Sequence, residues 1–178
     1  MVEMISTEKE ILKMADHPFL VGMKFVFQND QRIYFVMPFV RGGELYRHQK
    51  AQPMERFSED TARFYAIQVA LALGHLHKKN IMYRDLKPEN ILMNEDGYIC
   101  VADFGLAKVL NPGELARTFA GTSEYLAPEI VTEKGYSFPV DWWTLGILTY
   151  EMCVGMTPFF NANGDPAKIY KAIEHGTV

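Results

Sequence analysis

The sequence predicts an α+β fold in which a small strand-rich element precedes a mainly helical body. Met23 to Phe27 and Ile33 to Met37 are β-type runs joined by the polar Gln28-Asn29-Asp30-Gln31, the pattern of an antiparallel hairpin. From Ser58 onward the apolar positions become helical in character, over Ala62 to His77 and again over Trp142 to Val154. Between those stretches, Ile91 to Met93 and Ile99 to Ala102 flank Asn94-Glu95-Asp96-Gly97, and Asp-Gly between apolar runs is a strong hairpin signal.

At 178 residues, 48% hydrophobic and 13% aromatic, the chain has the size of one domain and enough apolar side chains for a core. A net charge of −4 and a pI near 5.7 give no basic footprint for nucleic acid. The charged start, Met1 to Glu10, lacks the apolar core of a secretory signal. The longest apolar segment, Trp142 to Val154, is too short and, with Glu151, too polar to span a bilayer. A soluble intracellular protein, cytoplasmic and without a membrane span, is therefore expected. Cys100, in an expected strand, and Cys153, in an expected helix, read as buried thiols rather than a disulfide.

In chain order, Ser6 or Thr7 can cap a helix that turns Ile11, Leu12 and Met14 inward and stops by Asp16-His17, because Pro18 disfavours helix before it. Pro38 ends the second strand, and Gly42-Gly43 reads as a flexible link to a short helix over Glu44 to Lys50. Ser58 caps a longer helix with Glu59 and Asp60 at its positive end. Its residues Phe64, Ile67, Val69, Leu71, Leu73 and Leu76 cover more than one stripe, which predicts a largely buried helix. His75 and His77 do not share a helix face, so a structural helix-end role is preferred to a metal pair. Asp103 to Glu129 is a long irregular segment of the kind that carries function. A helix over Trp142 to Val154 is capped near Asp141 and ended by Gly155-Met156-Thr157-Pro158, and Ile169, Tyr170 and Ile173 mark a last helix.

If Asp96 and Gly97 are the two turn residues of a hairpin without a bulge, Asn90 and Asp103 face each other at its mouth, and their oxygens suit Mg²⁺. Asp85, on the loop entering the first strand, stands close enough to serve as a base. Taken singly, each of these residues could be an ordinary turn former; together their spacing is specific. Tyr83-Arg84-Asp85-Leu86-Lys87-Pro88-Glu89-Asn90, Asp103-Phe104-Gly105 and Ala127-Pro128-Glu129 resemble the catalytic loop, the magnesium-binding motif and the activation-segment terminus of the protein kinases. Lys87 with Gly121-Thr122 looks like the serine/threonine class. Tyr83 in place of a histidine, Gly121 to Glu129, and Asp141-Trp142-Trp143 are similar to the AGC group of cyclic-nucleotide-dependent, Akt-like and ribosomal-S6-kinase-like enzymes.

The resemblance implies a truncated protein-kinase-like fold: 1–38 as part of the small lobe, 39–43 as the hinge, and 44–178 as a large lobe lacking its C-terminal helices. It implies ATP and Mg²⁺ as cofactors, with Asp85, Lys87 and Thr122 catalytic and Asn90 and Asp103 holding the metal. Met37, Phe39, Val40, Leu45, Glu89, Leu92 and Met93 would contact ATP. Leu12, Met23, Tyr83 and Phe104 match the stacked side chains that link the lobes above Asp141. Glu8, Arg84, Gly105, Lys108 and Glu129 match structural or regulatory positions. Thr118 matches a loop phosphosite for an upstream kinase, its phosphate pairing with Arg84 and Lys108. Glu44, Glu89 and Glu151 match acids that contact arginines preceding the target Ser/Thr of a protein substrate.

Pro38, Ser123 and Met4 depart from the pattern at the hinge, in the pocket for the residue after the target hydroxyl, and at a phosphate-gripping histidine. No Gly-x-Gly-x-x-Gly and no Val-Ala-x-Lys precede Glu8, so the lysine expected to pair with it is missing, and the arginine partner of Glu129 is not encoded before Val178. Losing a single transition-state donor costs roughly 10²–10³ in rate. The expectation is thus a kinase-domain fragment whose own activity is small. A catalytically silent, partner-binding module is the alternative, while a metal-dependent hydrolase lacks the necessary histidine-carboxylate cluster.

Overall fold

The computed structural model describes residues 9–176. Glu8, Met4 and the cap expected at Ser6 or Thr7 lie outside the described residues. Helix α1 (9–14) ends ahead of Pro18 and sends Ile11 and Leu12, followed by Ala15, into the core. Strands β1 (Phe25–Gln28) and β2 (Ile33–Val36) pair antiparallel, Phe25 opposite Val36 and Gln28 opposite Ile33. Asn29 shapes their turn, because its side-chain oxygen accepts the N–H groups of Gln31 and Arg32. Among the described residues the sheet has two strands, with Phe25, Phe27, Ile33 and Tyr34 exposed and Phe27 stacked on Tyr34 at 4.8 Å. Free strand edges beside exposed aromatics favour association.

The segment expected to be a flexible link is docked. Gly42 donates its N–H to the Met93 carbonyl (2.9 Å), and Met93 donates to the Gly43 carbonyl (2.8 Å). A Cβ on Gly42 would stand 2.4 Å from the Met93 oxygen, so glycine serves close approach here rather than mobility. Helix α2 (Leu45–Lys50) follows, and α3 (Glu59–Lys78) is capped by the Ser58 hydroxyl accepting from the Thr61 N–H.

Helix α3 differs from its expected burial. Val69, Ala72, Leu73 and Leu76 are inside, whereas Phe64, Ile67 and Leu71 are about half exposed. The main packing partners of the helix are α5 (Pro139–Val154), β3 (Ile81–Met82) and β5 (Ile99–Val101). Helix α5 begins two residues before Asp141, with Pro139 at its first position, so Asp141 lies within its first turn and is no cap. Gly155, at φ +96°, ends it in the left-handed conformation.

Strands β4 (Ile91–Met93) and β5 form the expected hairpin in a different register. Ile91 faces Val101 and Met93 faces Ile99, so Asn90 lies opposite Ala102, whose N–H it accepts at 2.8 Å, and not opposite Asp103. Three residues, Glu95-Asp96-Gly97, form the loop, closed by the Asn94 N–H on the Tyr98 carbonyl, with Gly97 at φ +84° as the left-handed residue such loops require. The long segment after Asp103 is less irregular than its sequence suggests: β6 (Lys108–Val109) pairs with β3, and a helical turn spans Ser123–Tyr125. Beyond it, α4 (Pro128–Val131) and α6 (Pro166–His175) pack together, α6 being capped by Asp165. The protein is an α+β fold with few strands, as expected. No described helix is long and apolar enough to cross a membrane. Cys100 and Cys153 are free thiols.

Candidate active site

Asp141 positions the loop that enters β4. Fully buried, it accepts from the Tyr83 N–H (2.9 Å) and His77 Nε2 (2.7 Å) through Oδ2, and from the Arg84 N–H (2.8 Å) through Oδ1. Three donors compensate a carboxylate removed from water, and they hold Arg84 at φ +72°, a conformation that costs a non-glycine residue roughly 1–3 kcal/mol. His77 thus has the structural place expected of it. Tyr83 is buried against Phe104, edge to face at 5.7 Å, and donates its O–H to the Ala102 carbonyl (2.5 Å). Burial first, then the charges of Asp85 and Asp103, hold this phenol well above its usual pKa, and the Asn90 side chain lies beside it. Leu12, Tyr83 and Phe104 belong to one core cluster, with Met23 packed against it.

Around that phenol the structure gathers Asp85, Asn90 and Asp103. The Asp85 carboxylate accepts from Thr122 Oγ1 (2.9 Å) at Oδ1, and from Asn90 Nδ2 (2.9 Å) and Lys87 Nζ (3.1 Å) at Oδ2. Lys87 also donates to Thr122 Oγ1 at 3.1 Å, closing a triangle. A carboxylate offers about four acceptor sites. Three are taken, and the remaining one is on Oδ1.

Asn90 commits its amide N–H₂ to the side chain and backbone carbonyl of Asp85, which turns its Oδ1 away from them. Asp103, at φ +56°, accepts the Gly105 N–H at Oδ1 (3.0 Å) and keeps Oδ2. One amide oxygen and one carboxylate oxygen are the hard donors that Mg²⁺ takes from a protein when phosphate and water complete its shell, so the donor set fits that ion. Among the described residues no group of three His, Cys, Asp or Glu is arranged to hold a metal. Any such ion would depend on non-protein oxygens.

The residues expected around adenine are less closely assembled. Met37 is 45% and Phe39 86% exposed, whereas Leu45 is wholly buried and offers no surface to a ligand. Leu45 is therefore a core residue, placed there by the docking of Gly42-Gly43 onto Met93 at the start of α2. Val40, Leu92 and Met93 are half-buried at the core margin.

Acids gather on a neighbouring face. Tyr125 donates its O–H to the Glu151 carboxylate, and Glu89 and Glu124 act on the same pair. Burial is the main cause that pushes Glu151 up to about 7, opposed by the Tyr125 bond and assisted by Glu89. Burial likewise raises the Tyr125 phenol. Glu44 stands apart, bridged to Leu92 and 3.8 Å from Arg47. Sequence reasoning missed Glu124, which Thr157 Oγ1 contacts, and the linking role of Tyr125. Both follow Ser123 in a stretch already singled out, and the acidic residue at 124 was the available signal.

The two cations expected to grip a phosphate at Thr118 have partners here. Arg84 donates Nε to the Leu106 carbonyl (2.6 Å) and Nη1 to the Tyr136 hydroxyl (3.1 Å), and Tyr136 donates to the Thr118 carbonyl (2.5 Å). Lys108 pairs with Glu114 at 2.9 Å. The Asn111 N–H, then Lys108, hold that carboxyl down at about 2. Glu129 lies in the first turn of α4.

A family profile described as the protein kinase domain matches residues 1–176. The chain is 45% identical over 174 residues to a RAC family serine/threonine-protein kinase homolog of Dictyostelium discoideum, covering 97% of this chain and 38% of that protein. It is 49% identical over 166 residues to serine/threonine-protein kinase Sgk2 of Rattus norvegicus, covering 93% and 44%. With a cAMP-dependent protein kinase catalytic subunit of Arthrobotrys oligospora it shares 46% over 177 residues, covering 99% and 33%. The chain therefore spans between a third and under a half of the length of these relatives.

Proposed function

Since the chain belongs to the protein kinase family and its relatives are AGC-type serine/threonine kinases, we propose that it is the core of a domain that transfers the γ-phosphoryl group of ATP to a Ser/Thr hydroxyl of a protein. The arrangement of Asp85, Lys87, Asn90 and Thr122 is the observation that carries this reading. Phosphoryl transfer asks a protein for alignment and charge neutralisation more than for covalent chemistry. The substrate O–H donates to the free acceptor site on Asp85 Oδ1, which takes its proton as the new O–P bond forms and the bond from the γ-phosphorus to the β,γ-bridging oxygen breaks, ADP leaving with that electron pair. Thr122 and Asn90 hold the carboxylate in orientation, and Lys87 offsets charge on the phosphate. Asn90 Oδ1 and Asp103 Oδ2 would hold Mg²⁺, which supplies neutralisation of the phosphate oxygens when bound.

Glu89, Glu124 and Glu151, of which Glu151 is buried and Glu89 exposed, support a preference for arginine ahead of the target residue, since clustered carboxylates pair well with guanidinium. The domain reading, with residues 1–38 as small lobe, 39–43 as hinge and 44–178 as large lobe, belongs to the same proposal. In it Thr118 is the site of an upstream kinase. Exposure of Met37 and Phe39 favours, for the chain by itself, the second reading of a catalytically silent module.

Thermal-shift titration with MgADP tests the nucleotide site. Wild type should gain stability with nucleotide only in the presence of Mg²⁺, and Asp103→Ala should lose the Mg²⁺-dependent part. Equal shifts in both proteins, with and without the ion, would end the metal assignment. Phosphotransfer from ATP to an Arg-x-x-Ser peptide should be weak for residues 1–178, and a rate equal to that of a full-length relative would refute the fragment reading.

A further inference from the structure

We propose that Tyr136 is a positioning residue, whose phenol acts through Arg84 to couple the order of the 114–119 loop to the backbone that presents Asp85. The consequence for catalysis rests on the role given above to Asp85, but the coupling itself rests on hydrogen bonds alone. One oxygen serves both sides: it donates to the Thr118 carbonyl (2.5 Å) and accepts from Arg84 Nη1 (3.1 Å). A phenol has one proton and two lone pairs, so both bonds form together.

Packing fixes where that oxygen lies. The Tyr136 side chain is buried among Leu110, Leu126 and Val140, and its backbone exchanges two hydrogen bonds with Ala116, at 2.8 and 3.0 Å. The loop is thereby held on Tyr136 at Ala116 and again at Thr118. On the other side, Arg84 binds the Leu106 carbonyl through Nε while its own N–H rests on Asp141. The arginine thus reaches both ends of the 106–118 segment, one directly and one through Tyr136. A phosphate on Thr118 is not needed for this tether. The surrounding cluster is apolar and would hold a phenylalanine as well, so only the hydroxyl requires tyrosine here.

Tyr136→Phe removes that hydroxyl and little else. Trypsin cleavage after the exposed Arg117, referred to cleavage after Arg56 in the same chain, should accelerate about five- to tenfold, the change expected for losing one or two hydrogen bonds. Arg84→Lys, which cannot span both partners, should accelerate it as well. The double variant should be no faster than the faster single one, because the two residues act as one link. A rate for Tyr136→Phe within twofold of wild type, or single effects that multiply, would overturn the coupling. If Arg84→Lys does not fold, amide exchange on Tyr136→Phe decides. Faster exchange at residues 84 and 85 as well as 116–119 supports the coupling, and a change confined to 116–119 overturns it. None of these measurements involves nucleotide, so their failure leaves the phosphotransfer reading standing, and failure of that reading leaves them intact.

Discussion

Glu151→Gln removes a carboxyl whose proton affinity the fold has altered, and its effect on stability has a definite sign. The group rises from 4.5 to about 7, chiefly through burial. At 1.36 kcal/mol per pKa unit, that corresponds to about 3 kcal/mol between the protonated and the ionised native states. Because the folded-state value is the higher one, the native protein binds more protons than the unfolded chain between those two values. Stability from this group is fully present below pH 4.5 and is lost as pH rises through 7. Glutamine keeps an oxygen that can accept from Tyr125 and has no proton to lose. Urea unfolding followed by tryptophan fluorescence at fixed ionic strength, from pH 5 to pH 8, should show wild type losing about 2–3 kcal/mol more than the variant. Parallel profiles would refute the assignment of a buried, proton-retaining carboxyl. An arginine-containing peptide that binds beside this group should also release a proton near pH 7, which calorimetry in buffers of different ionisation enthalpy detects.

Other perturbations test other parts of the structure. Asp141→Ala leaves the Tyr83 and Arg84 N–H groups and His77 without their acceptor, and urea unfolding should show a loss of about 3–5 kcal/mol. Gly42→Ala drives a methyl group against the Met93 carbonyl and should cost about 1–3 kcal/mol, a loss absent from Gly22→Ala, where nothing lies within contact. Native thiol titration should label Cys153 first; Cys100 is buried with its thiol pushed up to about 11, and should react only as the protein unfolds.

The elements were legible where local signals agree with packing. Ser58 caps the helix it was expected to cap, and the runs on either side of Gly97 form a hairpin. Register was not legible, because Asp-Gly fits a two-residue turn and the last two positions of a three-residue loop equally well. Apolar spacing alone could not reveal that Phe64, Ile67 and Leu71 stay about half exposed, since burial depends on what a helix packs against. The two-residue ladder between β3 and β6 is too short to leave a periodic signal. At the candidate site, the grouping of Asp85, Lys87 and Thr122 came from motif resemblance, and no local pattern joins residues 35 positions apart. Tyr125 and Tyr136 read as ordinary aromatics until their hydroxyl partners are seen.

Val101 is a seam as well as a strand residue. Its N–H binds the Phe19 carbonyl and its carbonyl binds the Val21 N–H, so residues 19–21 lie along the outer edge of β5. That edge exists only after the hairpin with β4 has closed. Residues 17–36 therefore depend on an assembly later in the chain, and in native-state hydrogen exchange they should open as a separate unit of lower free energy that takes the Val101 amide with it, while the amides of Ile99 and Ala102, held by Gln68 and Asn90, stay protected.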